Sequence, residues 1–327
     1  MWRLYGWFSG LMMCGSTFGV VTWVAKMLQI QNFFDANDAT SKKKFAEGYR
    51  SGASSYTWLA AFSVLYAVEF LCLSVAKLMV LDRMADFAAP LSDDRRKLWA
   101  LGVRAVMAVV AFGNAVGLVG NAAAAVFFQR SSSAFSEASV AYAANNTDGG
   151  DAYRQSARND QQLGFNVSSV QSSSEVAVLL LIVAAFGVVG VLSARRIMSG
   201  LQAVNAVSAA AAAGKTLRLQ IVSTTGFVFV AFLLRAVVST MLAVAFQLED
   251  SAVQTCPGVQ NFCDPSCHNV YAHIGQWDSY TPEFRPAVEL ISSPLALLVA
   301  LWGMTSQYSR KLLNTQRMQR ETLLSAR

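Results

Sequence analysis

Six long apolar blocks, separated by short polar or basic segments, set what this chain can fold into. They cover 4–30, 56–81, 98–128, 176–192, 219–246 and 288–308. A helix needs about 20 mainly apolar residues to cross about 30 Å of hydrocarbon. The fourth block contains no polar residue other than glycine. The bilayer interior offers backbone groups no water, so a crossing segment must satisfy its own hydrogen bonds as a helix or in a closed barrel. A barrel is excluded by pattern, because it needs period-two alternation in segments of about ten residues. Composition agrees: 14% of the residues are charged and mean hydropathy is +0.39, whereas a soluble chain carries about 25% charge. The expected fold is all-α, a polytopic transmembrane bundle of six spans forming one domain over 1–327, with the lipid bilayer as its main partner.

The first block begins with Arg3 and ends near Lys26. It is long and lacks a small-residue cleavage site, so it reads as an uncleaved signal-anchor.

Lys and Arg concentrate in cytoplasmic loops. The N-terminus, 83–97, 195–218 and the tail after Ser309 hold 14 of the 26 basic residues, the segments 31–52, 129–173 and 247–285 hold 8, and Lys26, Lys77, Arg104 and Arg235 lie within spans. The first set is therefore assigned to the cytoplasm together with both termini, which an even number of spans requires. The run Lys42, Lys43 and Lys44 dissents, since it falls on the outer side. Two sequons, at Asn145 and Asn166, lie in the outer loop between spans three and four. As glycosylation candidates they point to the secretory route, at the plasma membrane or an endomembrane. The net charge of +6 comes from cytoplasmic basic clusters, which attract anionic headgroups by about 1 kcal/mol per residue. No basic stripe interleaved with aromatics occurs, so nucleic acid is not an expected partner.

The segment 129–173 is rich in Ser, Ala, Gln and Asn, and has no proline. Its turn signal lies at 145–151. On either side the composition suits helix, and Phe128, Phe135 and Tyr142 recur every seven residues. These features predict an extracytoplasmic helical hairpin that prolongs spans three and four, the alternative being a flexible glycosylated loop. The segment 247–285 is an extracytoplasmic loop of another kind. Cys256, Cys263 and Cys267 are disulfide candidates there, because an oxidising compartment permits the bond. With His268 and His273 they match no standard zinc spacing, so no metal or other cofactor is expected. On the cytoplasmic side, 208–213 reads as a helix extension that stops at Gly214.

An ionisable side chain in mid-bilayer is costly and marks a functional site by default. Glu69 and Arg235 have opposite sign and similar depth, and are expected to pair. Ser63, Tyr66, Glu69 and Lys77 share a face of span two, and Thr224, Arg235 and Ser239 share a stripe of span five. Such a pair either fixes helix register or bounds a hydrated cavity. Lys77 and Arg104, near span ends, are expected to snorkel toward water. Asn114 and Asn121, seven apart, are expected to hydrogen-bond between helices. Gly6/Gly10, Gly15/Gly19 and Gly113/Gly117 have the spacing that lets helices approach closely. Pro294 is expected to kink span six.

No Walker, H-E-x-x-H or G-x-S-x-G motif occurs, and an enzyme is not expected. Three roles fit the sequence. A receptor-like or adhesion-like protein would display the hairpin and the cysteine loop to an extracytoplasmic protein or small-molecule ligand. A channel or carrier would use the Glu69/Arg235 pair. A structural organiser, assembled as a homo-oligomer, would need only the hairpin and the small-residue contacts.

Overall fold

The computed structural model describes residues 2–89, 93–203, 208–255 and 284–295, with isolated positions at 273–274, 277, 281 and 298–299. Among them all regular structure is helical. The helices are α1 (Trp2–Ser41), α2 (Phe45–Ala88), α3 (Asp93–Ala143), α4 (Thr147–Ala203), α5 (Ser208–Thr255) and the short α6 (Phe284–Leu290), which runs into a π-helical turn (Ile291–Leu295). Five helices are long and apolar enough to cross a membrane: Gly6–Ser41, Phe45–Asp86, Asp94–Ala143, Thr147–Leu192 and Val222–Val244. The sixth expected span lies largely outside the described residues. So do Cys256, Cys263, Cys267 and His268 of the outer loop, and the basic tail.

Two expected boundaries fall elsewhere. Gly214 does not stop a helix, because α5 starts at Ser208 and runs through it; one interior glycine costs only about 1 kcal/mol against alanine. The turn signal at 145–151 resolves into a turn at 144–146. Asn145 takes the left-handed conformation (φ 56°), which Asn tolerates better than most residues. The Asn146 side-chain oxygen accepts the Gly149 N–H at 3.0 Å, capping α4. The Gly149-Gly150 pair therefore sits inside the first turns of α4. The α1–α2 turn is equally tight: Lys43 is left-handed (φ 60°), and the Lys44 N–H donates to the Ala39 carbonyl at 2.9 Å.

The chain divides into two units, one made of Met1–Ser74, Ala111–Val178 and Ala236–Ala287, the other of Val75–Val110, Leu179–Arg235 and Val288–Arg327. In the first unit α1 to α4 alternate in direction, and their contacts step down one helix as they step up the next. Between α1 and α2, Gly15 lies against Leu73 and Gly19 against Glu69, while Gln29 hydrogen-bonds Ser55 at 3.3 Å. Between α2 and α3, Tyr56 stacks on Phe128 and Phe135, and Tyr49 on Phe135 and Tyr142. Hydroxyls fill the steps between rings: Ser132 donates to the Ala53 carbonyl and Ser139 to the Ala46 carbonyl, both at 2.7 Å.

Between α3 and α4 the seam follows a seven-residue repeat. Gly150, Ala157, Gly164, Gln171 and Val178 of α4 meet Tyr142, Phe135, Phe128, Gly120 and Gly113 of α3 in turn. The sizes exchange along it. Toward the turn α3 supplies rings and α4 supplies Gly or Ala. Beyond Phe128 α3 supplies glycine and α4 the larger side chain. A β-carbon at Gly164 would lie 2.6 Å from Phe128, and one at Gly113 only 2.2 Å from Val178. Heptad spacing keeps such a seam facing its partner along the whole length. Of the glycine pairs read from the sequence, Gly15 and Gly19 both carry contacts, and among the described residues Gly113 does so without Gly117, while Gly6 and Gly10 meet nothing within 4 Å.

The second unit has its own core. Phe186 of α4 meets Phe232 of α5 edge-on at 5.5 Å, and Leu179, Ile182 and Val228 are buried with them. Gly190 admits Thr225, whose methyl lies 2.3 Å from where a β-carbon would be. Near its ends Trp99 of α3 donates to the Ala85 carbonyl of α2 at 3.0 Å.

Candidate functional site

In each unit a subset of the polar residues of the apolar helices is buried. On α2 Ser63, Tyr66 and Glu69 are buried in the first unit and Lys77 is buried in the second. Their shared face follows from a spacing near 3.6 residues per turn. The aromatic neighbours Phe62, Tyr66 and Phe70 stack along the same helix, with centroids 5.8 and 6.3 Å apart.

The best-defined polar constellation lies in the first unit. The Tyr66 hydroxyl of α2 reaches both oxygens of Glu175 on α4, at 2.7 and 2.8 Å. Gln171, one turn before Glu175, donates its amide to the same carboxylate at 3.4 Å. All three are at least nine-tenths buried. Gln171 is also the residue that fills the notch at Gly120, so the α3–α4 seam holds its amide in place. One turn along α2 from Tyr66, Glu69 lies beneath α1. A β-carbon at Gly19 would stand 3.0 Å from a Glu69 carboxylate oxygen, so glycine at 19 is what lets α1 pass over the acid. The arrangement offers a buried carboxylate on α4, Glu175, held by a phenol and an amide, with a second buried carboxylate, Glu69, on the α2 face that carries the phenol. A carboxylate so placed can orient a cationic group.

The second unit buries two cationic side chains, Lys77 and Arg235. Lys77 is fully buried, with its Nζ 5.0 Å from the centre of the Phe232 ring. Snorkelling is therefore the wrong reading for Lys77. The aromatic face provides an inward cation–π contact, and burial in the α2 face removes the path to water. Arg104 is exposed, in keeping with its place near a span end. Arg235 is 2% exposed and Thr224 is buried. Glu69 and Arg235 belong to different units. Ser239, in the first unit, is only half-buried.

Asn114 and Asn121 are both buried, but among the described residues neither makes a hydrogen bond to another helix. Asn121 donates to the Gly117 carbonyl of its own helix at 3.1 Å, and the Asn114 side-chain oxygen has no hydrogen-bond partner. The π-helical turn Ile291–Leu295 contains Pro294. Proline lacks the N–H that an α-helix would use there, and the wider turn accommodates it. Ser292 is fully buried in that turn, its hydroxyl 3.4 Å from the Glu289 carbonyl, and Glu289 is itself buried.

Of the sequons, Asn145 is exposed in the α3–α4 turn, while Asn166 is half-buried within α4. Sequence reading overlooked Glu175 and Gln171 because they fall where a serine-rich stretch meets the fourth apolar block. The signal was present as a seven-residue repeat from Gly150 to Val178, with Gln171 and Glu175 one turn apart. No family model, curated protein or solved structure matches the chain.

Proposed function

We propose that this chain is a non-enzymatic multi-pass membrane protein of receptor-like or adhesion-like kind. In this reading it presents the ends of α1 to α4 outside the bilayer, with both termini cytoplasmic, at the plasma membrane or an endomembrane of the secretory route. The observation that carries the reading is the serine-rich stretch of α3 and α4. It continues as packed helix around an aromatic core, yet leaves Val140, Tyr153, Leu163 and Val170 exposed. Apolar side chains held on a rigid, wetted surface are suited to recognition. The disulfide loop at Cys256, Cys263 and Cys267 and a glycan at Asn145 belong to the same outward face in this proposal.

The test displays the chain on cells and measures adhesion to untransfected cells and to cells of the same kind. Val140→Glu with Tyr153→Glu should abolish adhesion while surface level and thermal stability stay unchanged. Adhesion that is absent, or that ignores both changes, contradicts the reading.

A carrier of protons or small cations is the second reading, and the Tyr66–Glu175–Gln171 constellation favours it. Buried ionisable groups in spanning helices commonly line ion or proton paths. In proteoliposomes a carrier would show flux that falls at least tenfold in Glu175→Gln. A recognition protein would show no flux to lose.

A further inference from the structure

We propose that Cys14 and Cys72 are a disulfide-forming pair that fastens α1 to α2 when a lipid-soluble hydroperoxide reaches them. The two sulfurs lie 3.7 Å apart, Cys72 Sγ towards Cys14 Sγ. Both residues are reduced; Cys14 is exposed and Cys72 half-buried. A disulfide needs about 2.05 Å between sulfurs, and side-chain rotation has little distance to close. The backbones are already close, because a β-carbon at Gly15 would lie only 3.3 Å from the Cys72 β-carbon and 3.0 Å from Leu73. One turn further Gly19 repeats the approach over Glu69. The glycines let the two helices approach closely beside the cysteine pair.

Position selects the oxidant. Both cysteines lie inside apolar blocks of the sequence, in helices long and apolar enough to cross a membrane. A peroxidised acyl chain is the two-electron oxidant a bilayer can bring to that depth. Cys14, the exposed member, attacks the terminal peroxide oxygen as its thiolate. The O–O bond breaks, the alcohol leaves with a proton, and Cys14 becomes a sulfenic acid. The Cys72 sulfur then attacks the Cys14 sulfur, the S–O bond breaks and water leaves. Two thiols and one hydroperoxide thus yield one disulfide, one alcohol and one water. A thiol reductant reverses the closure.

The experiment uses the full chain in lipid vesicles with a protease site inserted at the α1–α2 turn, between Lys42 and Lys44. After cumene hydroperoxide and cleavage, most of the α1 segment should remain attached on a non-reducing gel and be released by reductant. Cys14→Ser and Cys72→Ser should each abolish the attachment. The uninserted chain, treated identically and digested, should yield a peptide joining Cys14 to Cys72 by mass spectrometry, which guards against disturbance by the insertion. Release of α1 with no joined peptide, or attachment that survives Cys14→Ser, would overturn the proposal.

Discussion

The α3–α4 seam has two halves that solve one packing problem with opposite assignments. Near the turn, Tyr142, Phe135 and Phe128 of α3 press into Gly150, Ala157 and Gly164 of α4. Further on, Gly120 and Gly113 of α3 receive Gln171 and Val178 of α4. The first half is aromatic and closes with serine hydroxyls on α2 carbonyls. The second half is where the buried Tyr66–Glu175–Gln171 group sits. Aromatic stacks tolerate partial wetting, because ring faces and hydroxyls serve both water and protein. A buried carboxylate needs donors already in place, because an unpartnered charge in an apolar setting costs several kcal/mol. The exchange of large for small residues therefore marks a change in what the bundle must exclude.

That contrast can be broken most strongly in the aromatic half. Phe128→Ala removes a ring that touches Tyr56, Phe165 and the Gly164 notch. It should cost about 3–5 kcal/mol, read by denaturant titration in micelles. Overfilling the same notch should be milder but more specific. Gly164→Leu should cost about 1–3 kcal/mol, whereas Gly117→Leu, at a position with nothing within 4 Å among the described residues, should be close to neutral. Equal effects would show that the two glycines do not differ as described.

The polar half is sharpened by Tyr66→Phe, which deletes the hydroxyl held by both Glu175 oxygens. It should cost about 1.5–3 kcal/mol, read by denaturant titration in micelles. Back in the aromatic half, Ser132→Ala should cost about 0.5–1.5 kcal/mol through loss of its bond to the Ala53 carbonyl. The smallest effect belongs to the α1–α2 turn. Lys43 holds a left-handed backbone, and Lys43→Gly should stabilise by about 0.5–1 kcal/mol, seen as a slightly raised thermal midpoint.

Much of this was readable from the chain alone. Apolar blocks of bilayer length announce long helices, and five such helices are present among the described residues. Phe128, Phe135 and Tyr142 betray one seam through their spacing. The complementary notches were harder to see, because Gly150, Ala157 and Gly164 carry no hydrophobic signal and two of them resemble turn residues. Gly149 and Gly150 look like a break, yet Asn146 caps the helix just before them and the Tyr142 ring needs the space. Lys77 was misjudged for a related reason. Distance from a span end is visible in sequence, but a phenylalanine on another helix waiting to cover the ammonium is not. Glu175 escaped notice because its partner Tyr66 is 109 positions away, and only the folded register brings them together.

The central claim is that the serine-rich stretch from 129 to 173 is packed helix. Amide hydrogen exchange of the full chain in lipid nanodiscs, followed by mass spectrometry, tests it most directly. Slow exchange across 131–141 and 153–171, with a fast window only around 144–148, is the expected result. Complete exchange of the whole stretch within seconds would mean a flexible loop, and would contradict the account.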